Sequence, residues 1–239
     1  MVKRITNNKL SIPKHVAIIM DGNNRWTVKH KLKGFIGHEK GIEAIQNTIE
    51  SAIYYKIKYL TLFIFSSENW SRPKKEVSFL MKLLRKYLDE KINQLLKENI
   101  LIKMIGERKK IPKDILKKIE HCENITKKKN GLNLILALNY GSRNEITIAF
   151  NKLMKKYKKN KKINIKENNI SENLFTKNIP DPDLLIRTSG EKRISNFLLW
   201  QLAYTEFVFL DVLWPDFKKK NFTYAINKYS KRKRRYGSR

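Results

Sequence analysis

The chain has 239 residues, with 52 Lys and Arg against 22 Asp and Glu, a formal charge of +30. Hydrophobic residues make up 41% and aromatics 10%, enough to bury the core of one large domain or two small ones, which excludes wholesale disorder. The single cysteine, Cys122, excludes an internal disulfide and leaves no Cys pair for a zinc site, so a reducing, cytoplasmic setting is expected.

The N-terminal stretch lacks the apolar run of a signal peptide, and no uncharged run approaches the roughly 20 residues that span a bilayer, so any membrane contact is expected to be peripheral. The charge invites a nucleic-acid reading, because Lys and Arg neutralise phosphates and release counterions. It is carried mostly by Lys, 40 against 12 Arg, in a chain also rich in Asn and Ile, which is the mark of compositional drift. Most of these lysines read as solvated surface, and a smaller share can face anionic lipid or a polyanionic substrate.

In chain order, residues 1–12 read as a flexible N-terminus. His15 to Met20 (HVAIIM) reads as a buried strand, with His15 structural at its start. Directly after it come Asp21, Gly22, Asn23, Asn24, Arg25 and Trp26. If a helix begins there, its free N–H groups and Arg25 can hold phosphate oxygens and Asp21 can ligate Mg²⁺; equally, Asp21 can simply cap the helix. Glu39 to Tyr55 has helical period, with Ile42, Ile45, Ile49 and Ile53 on one face, and His38 stands before it within reach of the first cluster.

Tyr59 to Phe65 (YLTLFIF) reads as the next strand, followed by a polar run of Ser66, Ser67, Glu68, Asn69, Trp70, Ser71, Arg72 and Pro73. Hydroxyls, an amide and a guanidinium suit a diphosphate, although Ser-Ser-Glu also serves as a capping motif. Glu76 to Glu98 is a second amphipathic helix, with Phe79, Leu80, Leu83, Leu84, Leu88, Ile92 and Leu95 on one face. Ile100 to Ile105 reads as a strand, Pro112 opens a third helix in its first turn, and Leu132 to Leu138 is a further strand. Asn151 to Ile170, with eight Lys and one acid, looks like an exposed helix end and a loop.

Leu184 to Ile186 and Phe207 to Leu210 complete the strands. Between them Arg187, Arg193, Ile194 and Ser195 fall in the run RTSGEKRIS, apt for a second phosphate group, and Asn196 to Tyr204 looks helical. Glu206 then precedes the last strand as a second metal ligand or an edge residue. The tail 228–239 holds seven Lys or Arg and reads as a frayed basic end or a phosphate-binding arm.

Strands separated by helices of this length imply right-handed crossovers, hence one α/β domain spanning 1–239 with a mostly parallel central sheet flanked by helices. In such sheets ligands bind at the carboxyl ends of the strands, where the three polar clusters fall. The motifs of P-loop triphosphatases, dinucleotide enzymes, α/β-hydrolases and zinc proteases are absent.

The words HVAIIMDGNNRW (15–26), GHEKG (37–41), FSSENWSRP (65–73), NYGSR (139–143), DLLIRTSGEKRISNFLLWQLAYTE (183–206), DVLWPDF (211–217) and RRYG (234–237) occur in order over nearly the whole chain. In this the chain resembles the cis-prenyltransferase family, above all its bacterial members that make undecaprenyl diphosphate. The resemblance implies sequential condensation of isopentenyl diphosphate onto an allylic diphosphate such as farnesyl diphosphate, with a new cis double bond at each step. It further implies a homodimer, a hydrophobic tunnel walled by the helices from Glu39 and Glu76, and a carrier-lipid product for cell-wall synthesis. No nucleic acid is expected.

By the same resemblance Asp21 holds Mg²⁺ and steers the leaving diphosphate. Gly22, Asn23, Asn24, Arg25, Trp26 and His38 surround the allylic diphosphate. Ser66, Ser67, Glu68, Asn69, Trp70 and Arg72 line the reaction centre, with Asn69 assisting proton removal. Arg187, Arg193, Ile194 and Ser195 bind isopentenyl diphosphate, and Glu206 completes the metal site from its own or the partner subunit. Two positions depart from the family pattern: Asn24 stands where Gly is usual, and Gly34 where an Arg is usual, with Lys31 and Lys33 nearby as substitutes of poorer geometry.

Overall fold

Each apolar run forms a strand: β1 (His15–Ile19), β2 (Tyr59–Ser66), β3 (Leu101–Ile105), β4 (Asn133–Tyr140), β5 (Leu184–Arg187) and β6 (Glu206–Phe209). The computed structural model describes residues 10–157 and 164–234, without the side chains of 92–95. Much of the expected N-terminal extension, the Lys-rich run 158–163, the side chains of Ile92 and Leu95, and 235–239 of the basic tail lie outside the described residues.

The strands make one sheet in the order β3-β4-β2-β1-β5-β6, every neighbouring pair parallel. Successive side chains of a strand point to opposite faces, so Val16 and Ile18 enter one core while Ala17 and Ile19 enter the other. Burial on both faces is why these strands are continuous apolar runs and not alternating ones.

The helices are α1 (Asn23–Lys29), α2 (Ile36–Tyr54), α3 (Lys74–Lys97), α4 (Lys113–Thr126), α5 (Ser142–Tyr157), α6 (Glu167–Ser171) and α7 (Lys219–Ser230). α2, α3, α4 and α7 supply the larger core, through residues such as Ile49, Met81, Ile115 and Phe222. Pro112 stands as the N-cap, one residue outside α4, with φ −52°. α2 begins three residues earlier than its apolar period suggests, because the Gly37 N–H is anchored on Thr27 Oγ1 at 2.8 Å. That places His38 in the first turn of α2.

The helix expected over Asn196 to Tyr204 does not form. Ser195, Asn196 and Leu198 have φ of 48°, 61° and 48°, left-handed values that a right-handed helix cannot hold. Tertiary contacts outweigh the local period: the Asn196 carbonyl accepts from Ser142 N–H at 2.8 Å, and its Oδ1 accepts from Arg143 N–H at 2.9 Å. Phe197, wholly buried, stacks on Phe63 at 4.4 Å and contributes about 2–3 kcal/mol of burial. This chain of turns, with Leu198 and Leu202, covers the second face of the sheet.

Candidate active site

A cavity of about 830 Å³ lies at the carboxyl ends of β1, β2 and β5 and extends between the sheet and helices α2 and α3. One part of its wall is polar, with Asp21, Arg25, His38, Arg72, Arg187 and Arg193; the other is apolar, with Ile42, Ile45, Leu80, Leu83, Leu84 and Leu136. The three polar clusters of the sequence therefore meet in one place.

The floor of the polar end is built by the neighbouring strands β1 and β5. Arg187, its side chain 4% exposed, donates from Nη2 to Asp21 Oδ2 at 2.9 Å and from Nη1 to Ser195 Oγ at 2.8 Å and to the Arg193 carbonyl. Its Nε is a buried donor without a partner. Burial alone would raise the Asp21 carboxyl, but the hydrogen bond and charge of Arg187, with Ser189 and Arg25, outweigh it and hold the group below the ordinary carboxylate range. The turn is fixed by Thr188, whose Oγ1 accepts from Asp21 N–H at 2.9 Å and donates to the Asp21 carbonyl at 2.7 Å.

Gly22, at φ 109°, makes the turn into α1 in a conformation that disfavours any side chain. α2 then packs on that turn through Gly37 and Gly41. A Cβ on Gly37 would stand 2.0 Å from the Asn23 carbonyl oxygen, and one on Gly41 would stand 2.7 Å from Asn23 Oδ1 and 2.9 Å from the Trp214 ring. The word GHEKG is thus a packing surface that seats His38 against the first cluster. His38 is lowered from its ordinary value by burial and by the charge of Arg72, against the pull of Glu76, so it is neutral at pH 7.

At the end of β2, Asn69 Oδ1 accepts from Ser66 N–H at 3.0 Å, closing a capping box. Arg72 donates to Glu76 at 2.8 Å, and the same carboxylate oxygen lies 3.8 Å from His38 Nε2. Glu68 accepts from Asn196 Nδ2 at 2.6 Å, a strut between the β2 and β5 loops. Burial pushes Glu68 up, yet the Asn196 bond and its neighbours lower it overall, so it is ionised.

The residues expected from the sequence thus divide. Asp21, Gly22, Asn23, Asn24, Arg25, His38, Ser66, Glu68, Asn69, Arg72, Arg187, Arg193 and Ser195 line the cavity. Trp26, Ser67, Trp70, Ile194 and Glu206 do not. Trp26 donates to Asp216 at 2.9 Å and stacks on His30, fastening α1 to the loop after β6. Trp70 donates to Asn139 at 2.8 Å and meets Phe65 edge-on. Ser67 donates to Glu68 at 3.1 Å, and Ile194 packs against the second core. His15 is structural as expected: both ring nitrogens are engaged, by Pro180 and Thr61, and burial lowers it to about 4.

Glu76 and Asn196 line the cavity but were not singled out from the sequence. Glu76 reads there as the first turn of a helix, and its place four residues after Arg72 is the one local signal. Asn196 carries no such signal, because its partners are 128 and 53 residues away.

The donor set suits a hard dication only in part. Asp21 offers one cavity-facing carboxylate, and no group of three His, Cys, Asp or Glu occurs among the described residues. That fits Mg²⁺, which is commonly held by one or two carboxylates with substrate phosphates and water supplying the remaining oxygens. Glu206 is not the second ligand within one chain. It opens β6 level with Leu184, which pairs with Val16, so it lies at the amino ends of the strands and Asp21 beyond a carboxyl end, on the order of 15 Å along the strand. There it accepts from Arg232 at 2.6 Å.

Both departures have a structural reading. Asn24 is within α1 and has no positive φ, so the family's usual Gly is not needed there. Gly34 has φ 71° with nothing within 4 Å of a Cβ position, and neither Lys31 nor Lys33 lines the cavity.

Residues 19–237 match the family described as "Putative undecaprenyl diphosphate synthase". The chain is 47% identical over 228 residues to an isoprenyl transferase of Thermotoga maritima, covering 95% of this chain and 98% of that one. It is 44% identical over 240 residues to a farnesyl-diphosphate-specific ditrans,polycis-undecaprenyl-diphosphate synthase of Micrococcus luteus, covering 98% and 96%. Among solved structures, lavandulyl diphosphate synthase from Lavandula x intermedia, in complex with dimethylallyl diphosphate, superposes with a TM-score of 0.91 at 35% identity, covering 95% of this chain and 99% of that one. A "probable undecaprenyl diphosphate synthase" from Campylobacter jejuni gives 0.80 at 33%, covering 95% and 100%.

Proposed function

The chain belongs to the undecaprenyl diphosphate synthase family of prenyltransferases, and from that premise we propose that it condenses isopentenyl diphosphate repeatedly onto farnesyl diphosphate, in cis, to make undecaprenyl diphosphate. The observation that carries the reading is the two-ended cavity: guanidinium groups at one end suit diphosphates, and the apolar stretch between the sheet, α2 and α3 suits a growing hydrocarbon chain. Each buried CH₂ of product is worth roughly 0.8 kcal/mol there, which favours keeping the chain between steps.

Each step forms one carbon–carbon bond, releases one diphosphate and loses one proton from the condensing unit. Negative charge grows on the departing oxygens, so donors fixed before reaction stabilise the transition state more than the ground state. Arg25, the N-terminal N–H groups of α1 and His38 hold the allylic diphosphate. Arg187, Arg193 and Ser195 hold the isopentenyl diphosphate, with Arg187 held rigid by its burial. Asn69, whose Oδ1 already accepts from Ser66, orients the condensing unit beside Arg72. Magnesium, when bound at Asp21 and at Glu206 of a partner subunit, would supply added positive charge at the leaving oxygens.

In this reading the active form is a homodimer, in which Glu206 of the partner subunit would reach the metal held at Asp21, a separation that one chain does not close. No described helix is long and apolar enough to cross a membrane. We place the enzyme in the cytoplasm, with peripheral contact at the inner face for release of a carrier lipid used in cell-wall synthesis. Initial rates of labelled isopentenyl diphosphate incorporation, with farnesyl diphosphate and with or without magnesium, test this. Metal-dependent incorporation is expected; equal rates in excess chelator would remove the metal from the account.

A further inference from the structure

We propose that Glu191 is a positioning residue that ties Arg25 to Arg193 and so sets the spacing between the two diphosphate subsites; the proposal rests on the diphosphate reading above. Arg25 and Arg193 come from different loops, one after β1 and one after β5. Their side chains are 48% and 61% exposed, and guanidinium groups that free sample many rotamers unless something holds them. One carboxylate meets both: Glu191 Oε1 forms an ion pair with Arg25 Nη1 at 3.1 Å, and Oε2 accepts from Arg193 Nη1. Arg187 needs no such tie, being buried and fixed on Asp21 and Ser195.

The mount of Glu191 is stiff. Ser189 and Gly190 precede it at φ 76° and 77°, and their N–H groups donate to the Val212 and Leu210 carbonyls, each at 2.8 Å. Arg25 is pinned to the same turn, donating to the Ser189 carbonyl at 3.1 Å and to its hydroxyl. Glu191 itself does not line the cavity, whereas both arginines do. With no place on the cavity wall, it acts through the two guanidinium groups without touching the reacting atoms.

The two oxygens are the essential feature. Glutamine keeps the shape but accepts with one oxygen and turns an NH₂ toward the other arginine, which breaks the bridge. The test compares wild type, Glu191→Gln, Arg193→Ala and the double variant by calorimetric binding of inorganic pyrophosphate, by KM and kcat for both substrates, and by thermal melting. Glu191→Gln should weaken pyrophosphate binding by about tenfold, raise both KM values together with a smaller change in kcat, and leave the melting temperature unaltered. In the Arg193→Ala background the same change should do much less, because the bridge is already broken.

Pyrophosphate binding as tight as, or tighter than, that of wild type in Glu191→Gln would overturn the proposal and make the acid a competitor of the ligand. A lowered melting temperature with unchanged KM values would overturn it in favour of a purely structural role, and so would strictly additive effects. If wild type and variant both ignore pyrophosphate and substrates, the diphosphate reading fails and takes this inference with it.

Discussion

Replacing Asp21 with Ala perturbs folding and turnover together, and the structure separates the two effects. The carboxylate pairs with Arg187, whose side chain is 4% exposed, while that of Asp21 is 29% exposed. Breaking a buried ion pair costs about 3–5 kcal/mol. Here Arg187 keeps Ser195 Oγ and the Arg193 carbonyl, and Asp21 is partly solvated, so the cost falls to about 1–3 kcal/mol. At about 3 °C per kcal/mol for a chain of this size, melting should drop by about 3–9 °C at pH 7. The folded-state carboxyl lies below its unfolded value, so its stabilisation is present above about pH 4 and is lost as pH falls through the folded value. The melting gap between wild type and Asp21→Ala should therefore close in acid. Turnover of the folded variant should fall by at least about 100-fold, through loss of both the proposed metal ligand and one partner of Arg187. Wild-type melting at pH 7 would refute the pairing argument, and near wild-type turnover would refute the metal assignment.

Gly41→Ala should cost about 1–3 kcal/mol by overpacking and reduce activity, because the new Cβ meets Asn23 and Trp214 at under 3 Å; chemical denaturation alongside initial rates reads both, and a neutral change would mean that α2 does not seat the first cluster. Gly34→Arg restores the family's guanidinium in open space but at φ 71°, so it should lower KM for farnesyl diphosphate while costing about 1–2 kcal/mol of stability; an unchanged KM would show that the position is out of reach of the ligand. In an NMR titration, His15 should stay neutral down to about pH 4 and His38 should titrate below the ordinary histidine value. Both bind fewer protons folded than unfolded, so their contribution to stability is complete above about pH 6.5 and is lost on acidification. A midpoint at or above 6.5 for either ring would contradict its burial.

The six strands were legible because parallel strands covered on both faces read as unbroken apolar runs, and α2 and α3 were legible from their apolar period. The three polar clusters followed from their place after strands. What the sequence withheld depends on contacts far apart in the chain. The left-handed turns at Ser195, Asn196 and Leu198 are held by Ser142, Arg143 and Phe63, so a helix-like period misled. Trp26 and Trp70 belong to motif words beside the site, yet Asp216 and Asn139 claim their indole N–H groups and turn them away from the cavity. Glu76 and Glu191 look like ordinary surface acids until Arg72, Arg25 and Arg193 are brought against them. Glu206 sits beside a strand in sequence like the other candidates, but at its start, and in a parallel sheet that is the opposite edge from the site.

Under the proposed function, one cavity both binds diphosphates and houses a lengthening chain. The most direct test is to incubate the protein with magnesium, farnesyl diphosphate and radiolabelled isopentenyl diphosphate, then resolve the extracted lipids by chain length. A ladder of intermediates ending in a single long polyprenyl product is the expected result; a folded dimer that yields no labelled lipid, or stops after one condensation, would contradict it.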